Sequence, residues 1–259
     1  MIEQLRRWVA LKDERQKQIL QLIDEKNFLK VSEASKLMNV TPMTIRRDLL
    51  DLEKQGVIER IHGGAKKKTK ERFTELSHSE KREMNIEAKR HVAKKAAELI
   101  EDDDTVFIGA GTTTELIYDY LQATHVKVIT NSLSIFDRFK GDPTYDLILI
   151  GGKLRERTGS FIGYFTRKLM QEIKVQKSFI GTNGIMDGRI TTADEEESVV
   201  QQIILNNSQN RYIVADHSKF GVEAFQVICN ADEVTAIITD KELPEEFEAF
   251  YRSQCQIIN

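Results

Sequence analysis

The 259-residue sequence has little cysteine and no long apolar stretch, and both absences limit the class of protein. No apolar run approaches the roughly 20 residues of a membrane span, so we expect no transmembrane helix and no membrane partner. Residues 1–14 lack the apolar core and cleavage site of a secretory signal, which favours a cytoplasmic protein. Cys229 and Cys255 are too few for a zinc cage or a disulfide scaffold, and we expect reduced thiols. The five histidines lack metal-ligand spacing, so we predict no metal and no cofactor.

The net charge of −3 hides an uneven distribution of charge along the chain. Residues 1–70 contain 16 Lys and Arg against 10 Asp and Glu, whereas residues 71–259 contain 22 against 31. A basic segment that precedes an acidic one is typical of a chain whose first part meets a polyanion. A random scatter of charged residues along the chain is the alternative explanation, and the sequence motifs distinguish the two.

The basic segment has the pattern of a helix-turn-helix. A stripe of Ile19, Leu20 and Ile23 predicts a first helix over residues 14–24, and residues 27–30 are expected to break it. Ser32 is a candidate N-cap for a short second helix that ends at Met38, with Ala34, Leu37 and Met38 predicted to point inward. After a tight turn, Thr41 and Pro42 resemble the N-cap and first position of a third helix. That helix is predicted to run to about Gln55 and to end at Gly56.

The third helix can be phased from its apolar residues. Ile45, Leu49 and Leu52 share one face, which must point to the core. An arginine on the opposite face can bond bidentately to guanine or pair with phosphates, although most exposed arginines are only solvated. The residues that we predict to contact DNA from this helix are Thr41, Met43, Thr44, Arg46 and Arg47.

A strand and a glycine turn follow at residues 57–64, as in the wing of a winged helix. Arg60 and His62 are then placed to touch the DNA backbone. The lysines Lys66, Lys67, Lys68 and Lys70 are either a solvated linker or an added attraction for phosphate.

The segments Val40 to Leu49, Leu52 to Gly56 and Arg60 to Ala65 resemble the DNA-binding module of the DeoR family of bacterial sugar-metabolism repressors. The resemblance implies a repressor that binds double-stranded operator DNA. Residues 1–13 form a longer lead than this family usually has, either as an extra helix or as a disordered segment.

Beyond residue 83, short apolar runs alternate with helical stretches. Several runs are apolar at consecutive positions, as in strands that are buried on both faces. This alternation predicts an α/β fold with an open, mostly parallel sheet. The strands are predicted at 106–108, 126–129, 147–150, 179–180, 212–215 and 236–238, and the helices at 90–100, 114–121, 133–139, 165–173 and 196–206.

Glycine, hydroxyl, amide and lysine groups follow five successive strands. Ligands bind beyond the carboxyl ends of strands in an open parallel sheet, and these groups suit a phosphate and a polyol. Taken singly, each has a plainer interpretation: a turn for Gly151-Gly152, a surface position for Lys219, and a helix start for Asp194 to Glu197. The predicted effector-binding residues are Gly109, Gly111, Thr112, Thr113, Asn131, Ser132, Gly151, Gly152, Asp194, Glu196 and Lys219.

These strand ends, together with Glu80 to Arg82, Phe161 to Gly163 and Ala215 to Phe220, resemble the DeoR-type sensor domain. The resemblance implies a fold like that of ribose-5-phosphate isomerase and a phosphorylated sugar as inducer. Residues 73–78 are similar to lactose phosphotransferase repressors of Gram-positive bacteria, which implies tagatose 6-phosphate. The predicted organisation is an extension (1–13), a winged helix-turn-helix domain (14–70), a polar linker (71–82) and a sensor domain (83–259).

Two functions compete at this point. The first is a repressor of a carbohydrate-utilisation operon, released from its operator by a phosphorylated sugar and assembled as a homo-oligomer, a dimer or a tetramer. The second is an isomerase-like enzyme with a DNA-binding head, whose acid/base groups would come from Asp187, Asp194, Glu196 and Lys219. We favour the regulator without turnover because the head points to DNA. An RNA-binding regulator is disfavoured because no aromatic stacking motif accompanies the basic residues.

Overall fold

The computed structural model describes residues 12, 14–23, 28–54, 57–61, 63–67 and 75–259. The chain divides into two compact units, Met1–Glu71 and Arg72–Asn259, and each has its own hydrophobic core. Several predictions fall outside the described residues. One of them concerns the extension, of which only Lys12 is described. The others concern the end of the third helix (Gln55 and Gly56), His62, Lys68, Lys70 and residues 71–74 of the linker.

The first unit is a winged helix-turn-helix, as the sequence predicts. Its three-stranded sheet is antiparallel with the order β1-β3-β2. Ile45, Leu49 and Leu52 are all buried, so the predicted phase of the third helix is confirmed. The elements are α1 (14–23), β1 (Phe28–Lys30), α2 (Val31–Leu37), α3 (Pro42–Lys54), β2 (Ile58–Ile61) and β3 (Gly64–Lys67).

The predicted break after the first helix is confirmed at residues 28–30, which are not helical, whereas the predictions for Ser32 and Leu37 are wrong. Residues 28–30 form strand β1 because they pair with β3, a contact that is remote in sequence. Since the chain passes directly from β1 into α2, the N-cap is Lys30 and Ser32 lies inside the helix. Leu37, predicted to point inward, is 60% exposed, while Ala34 of the same helix is buried.

A close approach of two strands explains one glycine of the wing. A Cβ atom on Gly64 would lie 2.3 Å from the carbonyl oxygen of Leu29 and 2.8 Å from the ring of Phe28. Only glycine therefore lets β3 lie against β1 at this point. The preceding Gly63 turns the hairpin with a φ of +84°, which a residue with a side chain rarely adopts.

The second unit is built on a seven-stranded parallel sheet with the order β15-β14-β12-β9-β4-β5-β6. The predicted open, mostly parallel α/β sheet is thus confirmed. Its strands are β4 (Thr105–Ile108), β5 (Lys127–Thr130), β6 (Asp146–Leu149), β9 (Val175–Gly181), β12 (Ser208–Val214), β14 (Ala236–Ile238) and β15 (Gln256–Ile258).

The central strands are buried on both faces. Phe107 of β4 belongs to the hydrophobic core on one face of the sheet. Its neighbours Val106 and Ile108 belong to the core on the other face. Ile213 and Val214 of β12 divide in the same way. This explains the consecutive apolar positions, because both sides of each strand are covered.

Antiparallel pieces complete the unit, and the sequence analysis did not predict them. They are the hairpin β7 (Lys153–Arg155) and β8 (Ser160–Ile162), and a sheet of β10 (Gly184–Met186), β11 (Arg189–Thr192) and β13 (Gln226–Asn230). Asp187 and Gly188 form the two-residue turn between β10 and β11, with φ values of +50° and +74°. An Asp-Gly pair between apolar residues is a known signal for such a hairpin.

The helices follow the predicted rhythm, with two differences. The helix predicted at 114–121 is a 3₁₀ helix over Thr114–Tyr120. Residues 78–82, assigned to a linker, form a helix that belongs to the second unit. The α-helices of this unit are α4 (His78–Arg82), α5 (Ile86–Ala97), α6 (Leu133–Phe139), α7 (Tyr164–Glu172), α8 (Glu195–Asn206) and α9 (Glu245–Arg252). Among the described residues, no helix has both the length and the apolar composition that crossing a bilayer requires.

Candidate functional site

The N-terminal half of α3 presents the groups that were predicted to read DNA. Thr41 caps the helix, since its hydroxyl accepts a hydrogen bond from the backbone N–H of Thr44 at 3.2 Å. Met43 is 58% exposed, and Arg46 and Arg47 are also exposed. The ion pairs within the described part of the chain do not include either arginine. The helix therefore offers two cations and an apolar side chain at its solvent-facing start.

A buried ion pair, which the sequence analysis missed, fixes the opposite side of α3. The guanidinium of Arg15 on α1 bonds Asp48 through Nε to Oδ2 at 2.5 Å and through Nη2 to Oδ1 at 3.1 Å. Asp48 is only 2% exposed. This bidentate contact holds α3 on α1 and thereby sets which residues face outward.

The described cations of the wing are already paired with carboxylates. Arg60 donates its backbone N–H to Glu53 of α3 at 3.2 Å, and its Nε lies 3.8 Å from the same carboxylate. Lys66 Nζ lies 3.2 Å from Glu59 on the adjacent strand. Both pairs are exposed, so they are weak and leave the side chains available to a phosphate.

In the second unit, the strand order reverses between β4 and β9. The chain proceeds from β4 outward to β5 and β6, then returns to β9 and proceeds outward on the other side. Ligands of open α/β sheets bind at the carboxyl ends of the strands beside such a reversal. We call this edge of the sheet the carboxyl edge; it contains Gly109 to Thr114 after β4 and Thr182-Asn183 after β9.

The turn after β4 is closed by its own side chain. The Thr114 hydroxyl lies 2.7 Å from the carbonyl oxygen of Gly109 and 2.9 Å from that of Gly111. Thr113 is buried, whereas Gly111 and Thr112 are half-buried. Thr114 thus shapes the turn, and Gly111 and Thr112 line it.

Asn131 and Ser132 hold neighbouring segments together. The Asn131 side chain donates to the carbonyl of Phe161 at 2.8 Å, and the Phe161 N–H donates to the Asn131 carbonyl at 2.7 Å. Ser132 caps α6 by accepting from the N–H of Ile135. Both polar side chains are therefore already used by the protein.

The two glycines after β6 differ from each other. A Cβ on Gly152 would lie 2.0 Å from Oγ1 of Thr166 and 2.7 Å from the carbonyl oxygen of Ile162. A Cβ on Gly151 would meet nothing within 4 Å. Gly152 is needed for packing against α7, and Gly151 is open.

Asp194 and Glu196 lie at the start of α8 within a network of charges. Asp194 caps the helix through the N–H of Glu197, and its Oδ2 lies 3.1 Å from Nε of Arg155. Glu196 pairs with Lys153 at 2.9 Å. These carboxylates are neutralised by the β7–β8 hairpin.

Arg155 connects this network to the first described residues of the unit. Its Nη2 donates to Glu75 at 2.5 Å, and Glu75 also accepts from Lys81 at 3.0 Å. Burial would raise the pKa of Glu75, but its bonds to Arg155 and Lys81 hold that pKa below its usual value. Residues 75–82 are consequently fixed to the sensor unit rather than forming a free linker.

A buried lysine on α5, which the sequence patterns did not indicate, is affected by the charge of Lys219. Lys89 on α5 is 3% exposed, and its ammonium donates a hydrogen bond to the backbone carbonyl of Lys81. Burial lowers the pKa of Lys89, and the charges of Lys219 and Lys81 lower it further, against the attraction of Asp216 and Glu115. The charges of Lys81 and Lys219 therefore both act on the buried ammonium of Lys89. We call Lys81, Lys89 and Lys219 the lysine cluster.

Asp216, at the end of β12, lies next to this cluster. It is fully buried and accepts through Oδ1 from the N–H of Ser218 at 3.1 Å and from Asn85 at 3.2 Å. Despite its burial, the charge of Lys219 and these hydrogen bonds hold the pKa of Asp216 below its usual value. Within the described residues, its Oδ2 is buried without a hydrogen-bond partner. A buried acceptor of this kind is rare unless a ligand or water completes it.

A second buried carboxylate follows the β4 turn. Glu115 is 2% exposed and contacts Nε2 of His78, and Arg82 lies 4.0 Å away. Burial opposes the charge of Glu115, but the contact with His78 lowers its pKa below the usual value. This pair places α4 against the turn of Gly109 to Thr114.

One group of side chains in the described chain has ligand atoms close enough for a metal ion. Single ligand atoms of His217, Asp240 and Glu242 lie within 4.8 Å of one another. Asp240, however, accepts from the backbone N–H of His217 at 2.8 Å, from that of Glu242 at 3.0 Å, and lies 2.9 Å from His217 Nδ1. These contacts shape the turns after β12 and β14. The absence of a metal stays a prediction.

The structure thus brings together only some of the predicted effector residues. Lys219 joins Lys89, Lys81 and Asp216 on one side of the strand reversal. Asp194 and Glu196 belong with Arg155 and Lys153 instead. Of the acid/base candidates of the enzyme alternative, Asp187 lies in a hairpin turn, and Asp194 and Glu196 are the two that pair with Arg155 and Lys153.

Comparisons with known proteins cover both units. The model of the DeoR-like helix-turn-helix domain matches residues 15–71, and that of the DeoR C terminal sensor domain matches residues 84–241. A protein of Staphylococcus aureus (strain NCTC 8325 / PS 47) named lactose phosphotransferase system repressor is 37% identical over 239 residues, which are 92% of this chain and 95% of that protein. A protein of the same name from Streptococcus mutans is 38% identical over 88% of this chain and 92% of its own.

Among solved structures, ribose 5-phosphate isomerase from Plasmodium falciparum is 16% identical with a TM-score of 0.36 over 52% of each chain. The delta subunit of translation initiation factor eIF-2B from A. fulgidus is 14% identical, with a TM-score of 0.40 over 89% of this chain and 81% of that one.

The sensor-domain model alone spans more than half of the sequence, and the curated relatives extend over nearly all of it. Both match the winged helix and the parallel sheet described above. The chain therefore belongs to the DeoR family, with a DNA-binding helix-turn-helix unit followed by a sensor unit.

Proposed function

We propose that the protein is a repressor of a carbohydrate-utilisation operon that a phosphorylated sugar releases from its operator. The names of the relatives support a repressor of lactose phosphotransferase genes. The observation that carries the effector proposal is the buried, unpartnered Oδ2 of Asp216 beside the lysine cluster. A phosphorylated polyol supplies both the anion and the hydroxyl donor that this place lacks.

The phosphate of the effector is assigned to Lys89 and Lys219. Burial disfavours the ammonium of Lys89, and a dianion next to it restores the charged form. The glycine turn after β4 adds backbone N–H groups that can approach an anion closely. A hydroxyl of the sugar then donates to Oδ2 of Asp216.

Release from DNA follows from the position of Lys81. Lys89 donates to the carbonyl of Lys81, and the ammonium of Lys81 donates to Glu75. An effector that draws Lys89 toward itself loosens this connection at the start of the sensor unit, where the chain arrives from the helix-turn-helix unit. The effector shifts DNA binding only by its difference in affinity for the two states.

A titration with wild type and two lysine variants tests this proposal. The operator is first selected from a random pool of duplex DNA, and the labelled complex is then titrated with tagatose 6-phosphate and a panel of other sugar phosphates. Lys219→Ala is expected to bind the operator normally but to need about 10- to 100-fold more effector for release. The exposed Lys241→Ala is the matched control and should respond as wild type does.

Two outcomes contradict the proposal. Equal sensitivity of wild type and Lys219→Ala would remove Lys219 from the site. A wild-type complex that no sugar phosphate dissociates would rule out release by this class of ligand. A turnover assay with the same panel is expected to show no isomerisation, because Asp194 and Glu196 are already paired with Arg155 and Lys153.

A further inference from the structure

Helix α7 exposes an apolar face that the proposed function does not use. Its buried side consists of Thr166 and Met170, which face the core. On the opposite side, Phe165 is 71% exposed, Tyr164 is 62% exposed and Leu169 is 49% exposed. The rings of Tyr164 and Phe165 contact each other edge to face, with centroids 5.5 Å apart. We call Tyr164, Phe165 and Leu169 the α7 patch.

A comparison with α5 shows that this face is unusual for the same sensor unit. The exposed positions of α5 include Glu87, Arg90 and Lys94, all of them charged. Such a polar outer face is the norm for a helix that packs on a sheet. The α7 patch instead presents two aromatic rings and a leucine to the surroundings.

The size of the α7 patch fits the centre of a protein interface. A fully exposed aromatic side chain offers roughly 200 Å². The three exposed fractions therefore amount to about 350 Å², which is as large as the greatest apolar patch of a typical monomer. A specific interface takes about 800 Å² from each partner, with an apolar centre and a polar rim. The patch thus supplies about half of that area, and its charged neighbours supply the rim.

Those charged neighbours are complementary to themselves. Lys168 and Glu172 are exposed on the same side of α7, and the ion pairs of the described residues include neither of them. Lys four residues before Glu is the less favourable order for a pair within one helix. When two α7 helices cross antiparallel on a twofold axis, Lys168 of each lies opposite Glu172 of the other. Leu169 then lies near the axis and meets its own copy.

We propose that the α7 patch is an interface between two copies of this chain, formed by antiparallel contact of their α7 helices. A twofold contact uses the same surface on both copies, which is what a self-complementary charge pattern requires. A dimer also matches the head, since helix-turn-helix proteins bind paired half-sites as dimers. The proposal is independent of the effector and stands or falls without it.

Sedimentation of the full-length protein tests the apolar centre. Phe165→Glu is expected to weaken self-association at least about 100-fold, because it places a charge in the centre of the contact. Phe250→Glu is the matched control: Phe250 is 48% exposed on α9, outside the patch, and its variant should associate as wild type does. Unchanged association of Phe165→Glu overturns the proposal, as does a wild-type protein that stays monomeric at about 50 µM.

A charge exchange tests the antiparallel arrangement. Lys168→Glu alone brings like charges together and should weaken association about 3- to 10-fold, and adding Glu172→Lys should restore it. Failure of the double variant to recover would contradict this pairing.

A cross-link distinguishes a second copy from any other occupant of the α7 patch. Cysteines near a twofold axis lie within the roughly 7 Å between Cα atoms that a disulfide spans. Under mild oxidation, Leu169→Cys is expected to form a covalent dimer, while wild type and Phe250→Cys are not. If Leu169→Cys yields no covalent dimer under these conditions, a different occupant covers the patch and the proposal is wrong.

Discussion

Helix α3 and the carboxyl edge differ in how far apart in the sequence their candidate functional residues lie. The side chains predicted to read DNA lie within seven consecutive residues, and one helix phase decides which of them are exposed. The lysine cluster joins α4 and α5 to Lys219, which lies about 130 residues further along the chain. A local pattern can therefore identify the first surface, but only folding assembles the second.

A second difference concerns what polar residues do. On α3 the exposed arginines have no ion-pair partner among the described residues, so they are available to DNA. At the carboxyl edge, Asn131 and Ser132 are already bonded within the protein. Asn131 and Ser132 thus have a structural role, which their position after a strand did not reveal and their hydrogen bonds do.

The largest expected effect is on the support of α3. Arg15→Ala leaves Asp48 buried without its partner, which should destabilise the first unit by about 3 kcal/mol. Hydrogen exchange of the α3 amides measures this loss in the full-length protein. Arg46→Ala on the exposed face should change the same amides by less than about 0.5 kcal/mol. Equal effects of the two variants would show that the buried pair does not support the helix.

The paired glycines after β6 come next. Gly152→Ala forces a Cβ against Thr166 and the backbone, and should destabilise the sensor unit by about 1–3 kcal/mol in urea unfolding. Gly151→Ala has free space and should unfold as wild type does. A Gly151→Ala variant of normal stability but reduced effector response would place Gly151 in the site.

Loss of base recognition by α3 should change the free energy by a similar amount, but only in DNA binding and not in protein stability. Arg47→Ala, and more weakly Arg46→Ala, is expected to lower discrimination between operator and random DNA by about 1–3 kcal/mol. Thermal unfolding of these variants should match wild type. Retained affinity and selectivity in both variants would mean that another surface reads the operator.

The ion pair of Glu75 predicts a pH dependence of stability. Because its folded pKa is lowered, its stabilisation is fully present above the unfolded pKa of about 4.3 and is lost as the pH falls through the folded value. Wild type should thus be more stable than Glu75→Gln at pH 7, and the difference should disappear in acid. Urea unfolding of both proteins between pH 7 and pH 3 measures this difference in the free energy of unfolding. A difference that stays constant over this range would contradict the assignment.

The smallest effect is expected from the lysine run. Replacing Lys66, Lys67 and Lys68 with alanine should weaken binding to all DNA sequences alike and flatten the salt dependence by up to about 0.9 per lost phosphate contact. The existing pair of Lys66 with Glu59 reduces its share. An unaltered slope of log affinity against log salt would identify the run as a plain linker.

Particular residues show how far sequence patterns reach. The cap at Thr41 and the burial of Ile45, Leu49 and Leu52 follow from helix periodicity, and all are confirmed. The hairpin at Asp187-Gly188 had a recognisable turn signal that was overlooked. Strand β1 and the position of Ser32 inside α2 had none, because they depend on pairing with β3. Lys89 also escaped notice, since a lysine on a helix is ordinarily solvent-exposed.

By itself, the sequence determined the two-part organisation, the phase of α3 and the alternation of strands and helices. All three depend on periodicity and on residues close together in the chain. Only the tertiary structure decided that residues 75–82 join the sensor unit, that Asn131 and Gly152 serve packing, and that the charge of Lys219 acts on both Lys89 and Asp216. Those outcomes depend on strand order and burial, which bring distant segments together. They also decide which polar atoms are left without a hydrogen-bond partner in the protein and can bond a ligand.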